Sequence, residues 1–454
     1  MSTLLCISQS FPPERTPTAI RAEKLLRGLS RQWRVQLLTE SPRARSRGEL
    51  HVRVVPARRP RRLLAALRRL RLGKLVDMLL WPDESIFWLI PAVRAGRRLI
   101  RERSPSAIVV FMMPYSSGLA GLLLSRLSGL PLILNLDDSP TCIDMHPHFP
   151  TRLHHRLARA LEDLYVRRAD AIVYVSQTNL RAVRERNPPA THSKFHLVRY
   201  GADPQEYPAV PHASPNDRHA PAGQRFQAVY LGAMSGWWTL IDSHESAGAL
   251  KRLYAAWTRL GRHVRTELDQ RTASPAFVGA AMLDAIARHP DWAGRLNLTV
   301  YDNTYPTAVV ARALDAAGLR EVVSVGEPVP HERVAAILAA ADLLFLTLPN
   351  RDPALPGGRI SAKTYEYLMT DRPILAAVPR GESWDYLEGK PGVHLVAPDD
   401  RARMREILER LAAAKLAGES LSIDRSALRE ELSYDTRARE LAQVIHAAIA
   451  EHAA

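Results

Sequence analysis

Cysteine is nearly missing from this chain: Cys6 and Cys142 are the two in 454 residues. That excludes a disulfide scaffold and a cysteine-rich zinc module, and it fits a reducing compartment. Lysine is also scarce, with seven among 62 basic residues, the rest being arginine. No G-x-G-x-x-G follows the first strand-like segment, so the dinucleotide fingerprint is missing from that half. The opening MSTLLCISQSFPPER has neither the cationic n-region nor the small-residue cleavage site of a secretory signal peptide. The mostly apolar stretch 107–136 carries Arg126 and is broken by Pro114, Pro131 and several Ser and Gly residues. A membrane span needs about 20 continuous apolar residues, so this stretch reads as strand, helix, strand. What is present is ordinary globular material: 46% apolar and 24% charged residues rule out wholesale disorder, and the length suits two or three domains.

The net charge of +15 is unevenly placed. Residues 43–74 hold twelve basic residues against one acid, Glu49, a net of +11. Within them PRRLLAALRRLRL has helical periodicity, with Leu63, Leu67 and Leu70 on one face and Arg61, Arg62, Arg68 and Arg69 largely opposite. Three readings stand: a solvated basic face, an interfacial helix on anionic lipid, or a nucleic-acid surface. The last lacks any recognisable module and any aromatics between the arginines.

Strand and helix patterns alternate in two halves. LLCISQS, VQLLTE, AIVVFMM, LILNLDD, AIVYVS and FHLVRYG are strands of the first; FQAVYLGAM, LNLTVYDN, VVSVGE, LLFLTL, PILAAV and VHLVAP are strands of the second. Such alternation means parallel, doubly wound sheets. The stretch 204–224, with five prolines, separates the halves as a linker. The expected domains are therefore 1–203 and 225–433, Rossmann-like and facing a central cleft. The helix 434–454 follows and can return to the N-terminal domain. The fold of 235–275, with Trp237, Trp238 and Trp257, is not legible in the sequence.

Ligands of open α/β sheets sit beyond the carboxyl ends of strands. After the first strand, Glu14, Arg15, Thr16 and Thr18 are candidates; the plain alternative makes Thr16 or Thr18 an N-cap. After LILNL come Asp137, Asp138, Asp144, His146 and His148, a polar loop suited to substrate contact. Two histidines without a third well-placed ligand do not make a metal site, and no metal is expected. Ser176, Gln177 and Asp203 follow later strands. The segment 349–378 is the most informative. Gly357 and Gly358 let a backbone approach a ligand closely, and Ser361 is placed to cap the helix that follows. The free N–H groups of that first turn suit a diphosphate. Lys363 lies in the same turn, where a cation opposes the helix dipole unless it meets an anion, and Arg359 adds charge. Glu366, one turn on, can take a ribose diol or simply pair with Lys363.

FPPERTPTAIRAEKLLRGLS, RADAIVYVS, VRYGAD, VGEPVPHERVAAILAAADLLFLTL and ISAKTYEYLMTDRPILAAVPRGES, in this order and over nearly the whole chain, resemble retaining glycosyltransferases of the GT-B fold. They are most similar to bacterial members of the large, family 4-like group that includes sucrose synthase and many lipopolysaccharide and capsule enzymes. The resemblance implies a nucleotide-sugar donor on the C-terminal domain and an acceptor on the N-terminal one. Glu366 matches the second glutamate of the family's E-x7-E motif; the first would fall at 358, where this chain has Gly358. The loop GAMSGWWTLIDSHES lacks the basic residues that family members commonly carry there. Lys363 and Arg359 are then the catalytic cations, and Glu366, Gly358, Ser361, Ala362 and Gly232 the donor-binding set. Glu14, Arg15, Thr16, Asp138, His146 and His148 are the acceptor-side set. No cofactor is implied beyond the donor itself. The implied partners are a nucleotide sugar, a glycan or lipid-linked acceptor, and an anionic membrane surface met by 43–74, on the cytoplasmic side; nucleic acid is not among them. A non-catalytic sugar-nucleotide-binding or scaffold member, and a GT-B epimerase or hydrolase, remain as alternatives.

Overall fold

The computed structural model describes residues 1–14, 16–57, 59–142, 148–207, 225–234, 236–242, 249–264, 266–302, 304–327, 329–351 and 359–453. They form two compact units. The first comprises Met1–Gly201, Leu253–Arg265 and Leu432–Ala454; the second comprises Ala202–Arg252 and Thr266–Glu431.

The first unit is built on strands β1 (Thr3–Ser8), β2 (Arg34–Thr39), β3 (Leu50–Val54), β4 (Ala107–Met112), β5 (Leu132–Leu136), β6 (Ala171–Tyr174) and β7 (Phe195–Leu197). All are parallel, in the order β3-β2-β1-β4-β5-β6-β7. β1, β4 and β5 are buried along their whole length, which is why they read as unbroken apolar runs. β3 was hidden in the basic stretch: LHVRV is an edge strand with one buried residue, Leu50, so it lacks the apolar run of its neighbours. Helix Pro17–Leu29 starts at Thr16, whose Oγ1 accepts the Ala19 N–H at 3.2 Å. Helix Tyr434–Ala453 packs on it. Leu441 and Ile445 share one core with Leu25, Leu29 and Trp33, each such side chain contributing about 1.5–3 kcal/mol when fully buried. Gly28 lets the two helices touch; a Cβ there would lie 2.3 Å from that of Ala438. The C-terminal helix thus belongs to the first unit.

The second unit carries β8 (Phe226–Leu231), β9 (Leu296–Tyr301), β10 (Val323–Gly326), β11 (Leu343–Thr347), β12 (Ile374–Ala377) and β13 (Val393–Val396). They are parallel, in the order β10-β9-β8-β11-β12-β13. In both sheets the strand order reverses beside the first strand, between β1 and β4 and between β8 and β11. Such switch points are where open α/β sheets bind ligands.

The stretch 107–136 forms β4, helix Ser116–Ser128 and β5. Among the described residues no helix is long and apolar enough to cross a membrane. The linker expected at 204–224 lies, from 208 onward, outside the described residues. The stretch 235–275 contains helices Trp237–Asp242 and Ala249–Arg259 and two short strands; its residues 253–265 are compact with the first unit. The basic stretch makes two helices, Arg61–Arg69 and Gly73–Leu79. Of the first, Leu64 is buried while Leu63 and Leu70 are exposed.

Candidate functional site

Of the residues expected on the donor side, Gly232 and Lys363 meet at the switch point of the second unit. β8 ends at Leu231, and Gly232 turns the chain at φ 105°, a conformation in which an L side chain is strained. Space enforces the same choice. A Cβ on Gly232 would lie 2.7 Å from Cε of Lys363 and 3.2 Å from its Nζ. The Lys363 ammonium sits 5.0 Å from the Tyr230 ring centroid, within cation–π range. Gly232 and Lys363, read separately from the sequence, are therefore in contact.

The frame around them is hydrogen-bonded. Leu231 N donates to the Tyr367 hydroxyl at 3.1 Å, and Tyr230 OH donates to the Ala233 carbonyl at 2.9 Å. Burial pushes the Tyr367 phenol well above its ordinary value, so it stays neutral. Asp302, buried after β9, accepts Met234 N at 3.1 Å through Oδ2, and the Thr304 N–H and hydroxyl at 2.8 and 2.6 Å through Oδ1. It ties the loops after β8 and β9 together. Tyr367 ends the Lys-x-x-Glu-Tyr pattern of Lys363–Tyr367, which resembles a shorter family variant; Asp302 was not singled out from sequence, and its available signal was an acid directly after a strand.

Helix Ala362–Leu368 buries Thr364, Tyr365, Tyr367 and Leu368 and leaves Lys363 and Glu366 partly exposed, three residues apart on one face. Ser361 stands at the N-cap, but its side chain makes no capping bond; its Oγ lies 3.2 Å from Thr364 Oγ1. The cap expected from sequence is thus one of position only. The Arg359 carbonyl accepts the Ser383 hydroxyl, which holds the backbone entering the helix. Gly357 and Gly358 lie outside the described residues.

In the first unit, several candidates are spent on structure. Asp137 pairs with the fully buried Arg21, Nη1 to Oδ1 at 2.9 Å, and accepts Tyr200 OH at 2.9 Å. Arg21 Nη2 also donates to the Val198 carbonyl at 2.9 Å. Burial pushes the Tyr200 phenol well above its ordinary value, with the Asp137 charge adding to it. Asp137 thus serves as a counter-ion in the core. Glu14 accepts the Ser41 hydroxyl at 2.7 Å, and the same hydroxyl accepts Phe11 N at 2.8 Å. Thr16 is the helix cap described above. Ser176 caps helix Gln177–Glu185 by accepting Asn179 N at 3.1 Å; Asp203, at the start of the second unit, accepts Gln205 N at 3.2 Å.

Asp138 is half-buried, and its charge helps to raise the Tyr115 phenol, behind the larger effect of burial. His148 is exposed in a two-residue strand paired with His263–Val264. Arg15, Asp144 and His146 lie outside the described residues. A network missed in sequence anchors the start of this loop: buried Glu162 accepts Thr141 Oγ1 at 2.6 Å and Tyr174 OH at 3.0 Å, and pairs with Arg186.

With this geometry in view, residues 18–201 match the family model described as "Glycosyl transferase 4-like domain". A comparison with curated protein sequences finds no match. Among solved structures, sucrose-phosphate synthase from Thermosynechococcus elongatus superposes with a TM-score of 0.63 at 13% identity, covering 99% of this chain and 100% of that one. HepE from Anabaena, in complex with UDP and glucose, gives 0.60 at 13% identity over 98% and 100%. An Escherichia coli trehalose-6-phosphate protein bound with UDP-2-fluoro glucose gives 0.58 at 11% identity over 99% of each chain. The fold is GT-B, with two Rossmann-like units.

Proposed function

We propose that this protein is a retaining glycosyltransferase that moves a sugar from a nucleotide-diphosphate donor to an acceptor hydroxyl. The observation that carries the reading is the seat of Lys363 against Gly232 at the switch point of the second sheet, with Glu366 on the same helix face. In the reaction the bond between the anomeric carbon and the diphosphate oxygen breaks, and a bond to the acceptor oxygen forms on the same face. The acceptor's proton passes to the departing diphosphate. Negative charge grows on that leaving group, so preorganised cations are the main lever. Lys363 and Arg359 supply them, and Glu366 accepts the donor ribose. The glycosyl transferase 4-like match over 18–201 supports the class. The UDP and UDP-sugar complexes of HepE and of the E. coli protein make UDP-sugars the first donors to test.

The acceptor reading places this chemistry on a lipid-linked glycan at the inner face of the cell membrane, in cell-surface polysaccharide synthesis. It is supported by the basic stretch 43–74, whose helix Arg61–Arg69 leaves Leu63 and Leu70 uncovered among arginines. Basic residues near an anionic bilayer contribute about 1 kcal/mol each.

A thermal-shift panel of nucleotide sugars tests the donor, because a ligand that binds the folded state raises the melting temperature. The expected result is a shift with one nucleotide family; no shift with any sugar nucleotide sinks the assignment. NMR of the product's anomeric proton tests retention.

A further inference from the structure

Resting on the membrane reading above, we infer that residues 253–265, a part of the chain far from the basic stretch in sequence, complete the face that meets anionic lipid. They are compact with the first unit and lie against helix Gly73–Leu79. The Lys74 ammonium donates to the carbonyl of Trp257 at 3.0 Å and to that of Leu260, and lies 5.1 Å from the Trp257 ring centroid. A cation is thereby placed at the carboxyl end of helix Ala249–Arg259, the negative end of its dipole. Arg71 stacks over Tyr254, 5.5 Å from its ring centroid. The segment's far end is fastened as well, since His263 and Val264 pair with Phe149 and His148.

Both partners of this contact leave large apolar side chains in water. Leu70 and Leu79 are 69% and 80% exposed on one side of it, and Leu253 and Leu260 are 71% and 66% exposed on the other. Single exposed leucines are ordinary, but here four stand on two segments that touch each other through Lys74 and Arg71, and large exposed apolar side chains gathered on one face mark an interaction site. The charge around them selects the partner. Residues 249–266 contain five basic residues and no acid, and 61–79 contain six against Asp77 alone. Leucines set among arginines, with a tryptophan at the margin, match an anionic bilayer, where apolar side chains enter the headgroup boundary and the cations meet phosphate. An acidic protein would satisfy the arginines and leave four leucines unexplained.

The test is co-sedimentation of the full chain with vesicles of phosphatidylcholine containing 30% phosphatidylglycerol, beside pure phosphatidylcholine. Wild type should bind the anionic vesicles and lose binding as salt rises. Leu253→Ser/Trp257→Ser/Leu260→Ser and, separately, Leu70→Ser/Leu79→Ser should each weaken partitioning by about tenfold while keeping the wild-type melting temperature. Brominated lipids should quench wild-type fluorescence more than that of Trp257→Phe. If wild type binds and Leu70→Ser/Leu79→Ser fails to, while the 253–260 variant binds as wild type and Trp257→Phe is quenched equally, the inference is overturned and the membrane reading stands. If wild type binds neither vesicle, both fall. A concentration-dependent dimer, abolished by the same substitutions without vesicle binding, overturns it in favour of self-association.

Discussion

The loop after β1 and the loop after β8 occupy corresponding places in two similar sheets, and they treat their polar groups in opposite ways. After β1, Glu14 and the Phe11 N–H converge on Ser41, Thr16 caps a helix, and the nearby Arg21 and Asp137 neutralise each other in the core. After β8, the groups that bond one another are backbone, tyrosine and Asp302, and they hold a glycine and a lysine in contact. The lesson concerns buried charge. A group at a strand end whose counter-ion lies in the same core is structural, whereas a cation seated on a glycine and an aromatic face can still meet an anion.

The largest expected effect tests the structural half. Arg21→Ala leaves Asp137 buried without its cation, and breaking such a pair costs about 3–5 kcal/mol. Denaturant unfolding should register that loss, with nucleotide affinity of the remaining folded protein unchanged. Weakened nucleotide binding at unchanged stability would break the comparison. Lys363→Ala tests the other half: turnover should fall about 10²–10³-fold, the cost of removing one donor to developing charge, with the melting temperature unmoved. Full activity would remove the lysine from the chemistry. Gly232→Ala should do some of both. Its Cβ enters the space of Lys363 at a strained φ, so a stability loss of about 1–3 kcal/mol should accompany a fall in turnover; a silent variant would show that the lysine can leave its seat at no cost.

Much of the architecture was legible. Every long strand of both central sheets except β3 stood out in the sequence, and β1, β4, β5, β6, β11 and β12, buried along their whole length, did so because strands covered on both faces are apolar throughout. β3 was obscured by its arginine-rich surroundings and its place at the edge. Candidate residues could be picked by position, since functional groups follow strands, but their hydrogen-bond partners could not. The partners of Asp137 and Glu14 were not legible, because a sequence does not show that Arg21 or Ser41 arrives from elsewhere to bind them. Lys363 and Gly232 were each picked out, yet their contact across 131 positions could only come from the fold.

Two smaller experiments sharpen the contrast between the units. Burial and the charges of Arg410, Arg403 and Arg425 push His394 in the second unit down to about 4. The unfolded chain takes up that proton near pH 6.5, so this contribution is complete above about pH 6.5 and fades as pH falls toward about 4. The imidazole is partly exposed, which reduces the effect to about 1 kcal/mol. His452 in the first unit is shifted the other way, raised by its hydrogen bonds to Asp170 at 2.9 Å and Gly129 at 2.8 Å. Its contribution is present below its unfolded pKa and lost as pH rises through the raised one. His394→Gln should flatten the acid side of the stability profile and His452→Gln the neutral side; the same change from both would contradict the assignment. Thr16→Ala should cost about 1 kcal/mol, the ordinary value of a lost N-cap, seen as a small shift in the urea midpoint with activity intact.

The return of helix Tyr434–Ala453 to the first unit sets an order of assembly. Leu441 and Ile445 are interior residues of a core that also holds Leu4, Leu25 and Val109. On the ribosome, domains generally fold from the amino terminus onward. Here the amino-terminal unit keeps part of its core uncovered until residues 434–453 emerge, by which time the whole second unit, Ala202–Arg252 and Thr266–Glu431, has been made. The half made first is the half completed last, and a chaperone that shields nascent chains would meet this protein on its first two hundred residues.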